Sequence, residues 1–174
     1  MRFPTVSPFF YMVRGELDRA QRLAEHLLRL SRERQDSAGL VLGNSCSGRT
    51  LMLAGTFALS RSHLNEVLAL YDPISHRVFA QQIGIHPEND SAAVLAIVLF
   101  CLGYPDQAVV QSNTAIDEAR RLAHPPSLAS SLFLGARLFL RCRFGATGRR
   151  ADRRGDRARI PAMAGIRNDL SWMG

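Results

Sequence analysis

Residues 43–50, Gly-Asn-Ser-Cys-Ser-Gly-Arg-Thr, come within one residue of the phosphate loop G-x-x-x-x-G-K-[ST], in which backbone N–H groups cradle phosphates and a Lys reaches the outer ones. Gly39 to Leu42 just before it could pass for the strand that such a loop follows. Two features weigh against nucleotide chemistry. Arg49 stands where the compact charge of Lys is needed, and no second βα unit follows to build a parallel sheet. The stronger reading makes Gly48, and Ala96 further along, the small positions at which paired helices touch.

Other reactive residue types are present without the spacing that chemistry needs. His26, His63, His76, His86 and His124 show no HxxxH or HExxH pattern, so metal binding has little support. Cys46, Cys101 and Cys142 lie far apart with no CxxC pair, and an odd number cannot close a complete disulfide framework; a reducing cytoplasm suits them. There is no G-x-S-x-G elbow to raise a Ser nucleophile. Glu16, Asp18, Asp106, Asp117 and Glu118 fall in early turns or on exposed helix faces, where they complement the helix dipole or pair with Arg. The expectation is a chain with no catalytic, metal or cofactor residues of its own, hence no cofactor and no enzymatic activity.

The elements that would carry these residues repeat. Gly15-Glu-Leu-Asp-Arg-Ala20, Gly55-Thr-Phe-Ala-Leu-Ser60 and Gly103-Tyr-Pro-Asp-Gln-Ala108 each place a Gly five residues before a small residue, at the head of an amphipathic helix. Gly tolerates the left-handed conformation that ends a first helix, and the small residue lets a second approach closely. Apolar residues then recur at helical spacing: Leu23, Leu27, Leu28 and Leu30 in the first copy, Leu64, Val67, Leu68 and Tyr71 in the second. First helices are predicted over Thr5–Arg14, Ser37–Ala54, Asp90–Leu102 and Ser127–Leu140; Asp72-Pro73 ends the second copy as a helix breaker, and His124-Pro125-Pro126 separates the third copy from the fourth first helix. The connection from Ile74 to Asn89 is the irregular element. Met1 to Val13 lacks a small-residue cleavage site and reads as structure, not as a signal peptide.

These residues resemble the tetratricopeptide-like, MalT-like helical region of bacterial adenylate/guanylate cyclase and ATPase-type signalling proteins. The resemblance rests on 15–20, on His63-Leu64 with residues 68–77, on Leu102-Gly-Tyr-Pro-Asp-Gln-Ala (102–108) and on 119–129, and it covers most of 9–140. It implies an all-α, right-handed solenoid of antiparallel hairpins, about three and a half repeats long, acting in signal transduction; the cyclase and nucleotide-binding modules are not in this chain. The pattern departs after about Arg141, and the expectation there is an Arg-rich, disordered or atypical tail over 141–174, including Trp172, left by a frameshift or truncation.

Charge follows the same division. The net charge of +7 is concentrated at the end: residues 141–174 hold nine Arg against three Asp, whereas 1–140 hold thirteen Arg against twelve acids. The near-neutral body offers phosphates little, so nucleic acid is expected only through the tail. All 22 basic residues are Arg, which reflects coding bias more than binding chemistry. No apolar stretch reaches the ~18 residues of a membrane span, and no membrane partner is expected.

The leading reading is a cytoplasmic scaffold that binds a protein or peptide on the concave face lined by first helices, with Asn44, Arg49 and Asn89 as candidate partner-binding residues. Three rivals compete with it: a small-molecule or nucleotide sensor at 43–50 or 74–89, an Arg-rich tail for nucleic acid or anionic membrane, and a truncated remnant without function.

Overall fold

The computed structural model describes residues 8–72, 84 and 86–153, with side chains as far as Arg141. The described residues form seven helices and no strand: α1 (Pro8–Val13), α2 (Leu17–Glu33), α3 (Ser37–Leu53), α4 (Phe57–Leu70), α5 (Pro87–Cys101), α6 (Pro105–Arg121) and α7 (Pro125–Arg153). Every regular element among the described residues is a helix. The helices fall into three pairs joined by tight turns, followed by α7.

The turn within each pair is built the same way three times. Gly15, Gly55 and Gly103 take φ of +75°, +80° and +89°, where a Cβ would be strained. Gly55 N–H donates to the Met52 carbonyl at 3.2 Å and Thr56 N–H to Leu51 at 2.9 Å; Gly15 with Glu16 and Gly103 with Tyr104 repeat both bonds. These bonds satisfy carbonyls that a helix end would otherwise leave open.

The turns after α2 and α6 reach the left-handed region without glycine, at Gln35 (φ +53°) and Ala123 (φ +49°). A side-chain cap follows each. Asp36 accepts the Gly39 N–H at 3.1 Å and His124 Nδ1 accepts the Ser127 N–H at 3.3 Å. Left-handed residues therefore fall twenty apart at 15, 35 and 55 and again at 103 and 123, with Gly84 (φ +76°) in the irregular connection between the two runs.

Close packing follows from the small residues. Ala20, Ser60 and Ala108, each five after its turn Gly, are all 0% exposed. A Cβ on Gly43 would come within 2.7 Å of Leu28, and one on Gly48 within 2.7 Å of Leu64. The two glycines of α3 thus set its approach to α2 on one side and α4 on the other. Leu28, Leu64 and Val67 are buried, as their spacing predicts.

The core centres on α5, which is buried nearly all round and packs against α3, α4 and α6. Ala92 to Leu99 join Leu64, Ala108, Ala115, Leu134 and Leu138 in one apolar cluster. Burial of Val94 and Val98 alone contributes ~1.5–3 kcal/mol each.

Several boundaries differ from those predicted. Pro125 and Pro126 separate α6 from α7 as predicted, but α7 opens on Pro125 rather than Ser127 and α5 on Pro87 rather than Asp90, because a first-turn Pro lacks only an N–H that has no partner there. Asn89 therefore lies inside α5 rather than in the connection before it. Of that connection only Gly84 and residues 86–89 are described; His76 and the rest lie outside the described residues, as do residues 1–7. α7 does not stop near Arg141 but runs on to Arg153. The helical array belongs to a unit that ends at Cys142, and residues 154–174, with Trp172, lie outside the described residues.

Candidate functional site

After the partly buried Glu88, three buried polar residues, Asn89, Asp90 and Ser91, precede the apolar run of α5, and in a core each costs stability unless it is paired. Each is paired. Arg49 of α3 bonds one Asp90 carboxylate oxygen, and Ser130 Oγ of α7 donates to the other at 3.0 Å. Ser91 Oγ donates to Ser45 Oγ of α3 at 3.1 Å. Asn89 donates from Nδ2 to the Ala115 carbonyl of α6 at 2.6 Å and accepts from Ser131 Oγ of α7 at 2.9 Å. One turn of α5 thus fixes the positions of three neighbouring helices.

Asn44 lies on α3 outside this row. Its Nδ2 donates to the Leu40 carbonyl at 3.0 Å, which turns Oδ1 toward His63 Nδ1 at 2.8 Å. That contact places the imidazole proton on Nδ1. Burial, and then the positive charge of Arg32, hold the His63 pKa below its ordinary value.

The three candidate partner residues therefore differ in setting. Asn44 is 5% and Asn89 2% exposed, with their polar atoms bonded inside the array. The Arg49 side chain keeps 23% of its surface in solvent while it pairs with Asp90. Arg49 and Asn89 belong to one seam through the adjacent Asp90, and Asn44 does not. Asp90 and Ser130 complete that seam without having been singled out by sequence; the only signal was an acid one residue short of an apolar run.

The phosphate-loop-like segment is helical throughout. Residues 43–50 lie inside α3, where backbone N–H groups serve the helix, and Thr50 Oγ1 donates to the Cys46 carbonyl at 2.8 Å. Burial pushes the Cys46 thiol up to about 11, so it is no nucleophile. No group of three or more His, Cys, Asp or Glu that could hold a metal occurs among the described residues.

A groove of about 320 Å³ lies where α4, α5 and α6 meet, lined by Leu68, Glu88, Asn89, Ala92, Gln111, Thr114, Ala115, Glu118 and Arg121. Its chemistry is mixed. Glu118 takes two bonds from Arg121, Nε to Oε2 at 3.0 Å and Nη2 to Oε1 at 2.8 Å. Partial burial, and then the Glu118 charge, raise the Glu88 pKa, with Arg121 opposing.

Nearby, the His86 and His124 rings meet edge to face at 4.9 Å, and Ser127 Oγ accepts the His86 N–H at 3.1 Å. Burial first, and the neighbouring His124 second, lower the His86 pKa.

No protein-family model matches the chain, and no curated protein matches it. Fold and site together define a class by geometry alone: an all-helical array of tight helix pairs, locked by one polar seam and bearing a mixed-polarity groove.

Proposed function

We propose that the chain is a tetratricopeptide-like scaffold, a right-handed solenoid segment that binds a protein or peptide partner and serves a larger signalling assembly. The observation that carries this reading is the repeated helix pair, with the same left-handed turn, the same buried small residue five positions on and the same tight contact between helices. Units that bury one face against each other leave the opposite faces as continuous surface, which is what a peptide-binding solenoid uses. The resemblance to the MalT-like region supports the regulatory role.

Partner contact is proposed along the first-helix seam that holds Arg49 and Ser45, with Asn89 bracing it from inside and Asn44 fixing α3 against His63 of α4. The test is selection of peptides from a displayed library on the folded chain, followed by calorimetry. Ser45→Arg projects a bulky charge from that seam and should weaken a selected peptide about tenfold or more, in line with the loss at a central interface position. Undiminished affinity after Ser45→Arg and Arg49→Gln together would sink the seam as the binding face.

A small-molecule sensor is the second reading, favoured by the α4–α5–α6 groove, whose volume falls at the lower end for ligand sites. Stabilisation by a small polar metabolite that Thr114→Trp abolishes would support it.

A further inference from the structure

The strongest uncommitted feature is the outer side of α7. Leu132, Phe133, Phe139 and Leu140 are 45%, 63%, 67% and 53% exposed. Together with exposed Ala136 they recur at i, i+1, i+4, i+7 and i+8, the spacing of one helical stripe. The buried stripe of the same helix, Ser127, Ser131, Leu134 and Leu138, is spent on the core. α7 therefore has two apolar faces, and only one is covered by the array.

Charge decides what suits the other. No Asp or Glu occurs between Glu118 and Asp152, and within α7 the sequence places Arg137, Arg141, Arg143, Arg149, Arg150 and Arg153 against Asp152 alone. Arg137 lies over the Phe133 ring at 5.6 Å, and both it and Arg141 are exposed. A second copy set against this face across a two-fold axis would oppose Arg to Arg with no acid on the face to answer them. Nucleic acid would answer the arginines and leave Leu132, Phe133, Phe139 and Leu140 in water. An apolar stripe flanked by Arg is the pattern of a helix that lies in a membrane interface, its rings among the acyl chains and its guanidinium groups at anionic headgroups.

We propose that the outer face of α7 docks on an anionic lipid surface, lying in the interface without crossing it. No helix among the described residues is long and apolar enough to span a membrane. The long Arg stems allow Arg137 and Arg141 to reach headgroups while the neighbouring rings insert.

The experiment is flotation of the full chain with vesicles of phosphatidylcholine alone and of phosphatidylcholine mixed with phosphatidylglycerol. Binding should favour the anionic vesicles by about tenfold or more and weaken as salt is raised. Phe133→Ser with Phe139→Ser, both outside the core, should release most of the bound protein at unchanged helical circular dichroism. Arg137→Gln with Arg141→Gln should lower binding to anionic vesicles and flatten its salt dependence; should either pair perturb folding, Leu132→Ser with Leu140→Ser reads the same face. Equal binding to both vesicle types overturns the proposal, as does retention by the Phe pair. Absence of flotation overturns it too, whether the chain then binds a polynucleotide or self-associates.

Discussion

Asn89, Asp90 and Ser91 carry most of the specificity in the core, because each must find a partner on another helix before α5 can be buried at all. Sequence reading picked out Asn44, Arg49 and Asn89 as polar residues of the first-helix face, and the helix of Asn44 and Arg49 was legible, whereas Asn89 was placed in the connection before α5. Their partners were not. Asp90 meets Arg49 across 41 residues of chain and Ser131 meets Asn89 across 42, and nothing local to either residue announces such a pairing.

At the same scale Glu88 gives a pH signature. Its carboxyl is raised above the ordinary value near 4.5 by burial and then by Glu118, so the unfolded chain ionises first as pH rises. Folding stability is lost as pH climbs from the ordinary value through the raised one, and above that the loss is complete. Glu88→Gln removes the loss. The variant should melt higher than the parent near pH 7 and lose that advantage as pH falls below about 4.5, with a gain under about 1 kcal/mol because the half-exposed group is screened by solvent. Thermal melts across that range are the check.

Among the elements, helix positions and the glycine turns were readable because Gly at a positive φ and a small residue five further on have fixed structural causes. The turns at Gln35 and Ala123 were missed, since neither residue type advertises a left-handed backbone. The prolines marked the separation of α6 from α7 but not the first residue of α5 or α7, because the residue type is the same whether it precedes a helix or opens it.

The helical setting of 43–50 makes a sharp prediction. Arg49→Lys completes the phosphate-loop sequence, yet the backbone N–H groups stay committed within α3. Differential scanning fluorimetry with ATP and Mg²⁺ should show no nucleotide-dependent shift for this variant, while loss of the Arg49–Asp90 geometry lowers its melting temperature in buffer alone. A nucleotide-dependent rise would show that α3 unwinds into a loop.

For the molecule as a whole, α5 is the element that three others share, so damage there is not local. Val98 is 0% exposed in the apolar cluster. Val98→Asp would bury an unpaired carboxylate and should cost about 4 kcal/mol or more, a large part of the ~5–15 kcal/mol that holds a domain together. The expected result is loss of the cooperative thermal transition followed by circular dichroism. A variant that still melts sharply within a few degrees of the parent would mean that the helix pairs hold independently of their centre.

The regular counting of the turns reaches beyond stability to how such a chain can change length. Gly15 is followed by Glu16 at the head of α2, and Gly55 ends the α3 turn in the same left-handed conformation. Were residues 16–55 copied in tandem, the new junction would be Gly55 joined to Glu16, a Gly-Glu step that the chain already makes at its first turn. Growth by one helix pair would then need no new turn chemistry, and the small residues at 20 and 60 would meet the same kind of neighbour in the longer chain as in the present one.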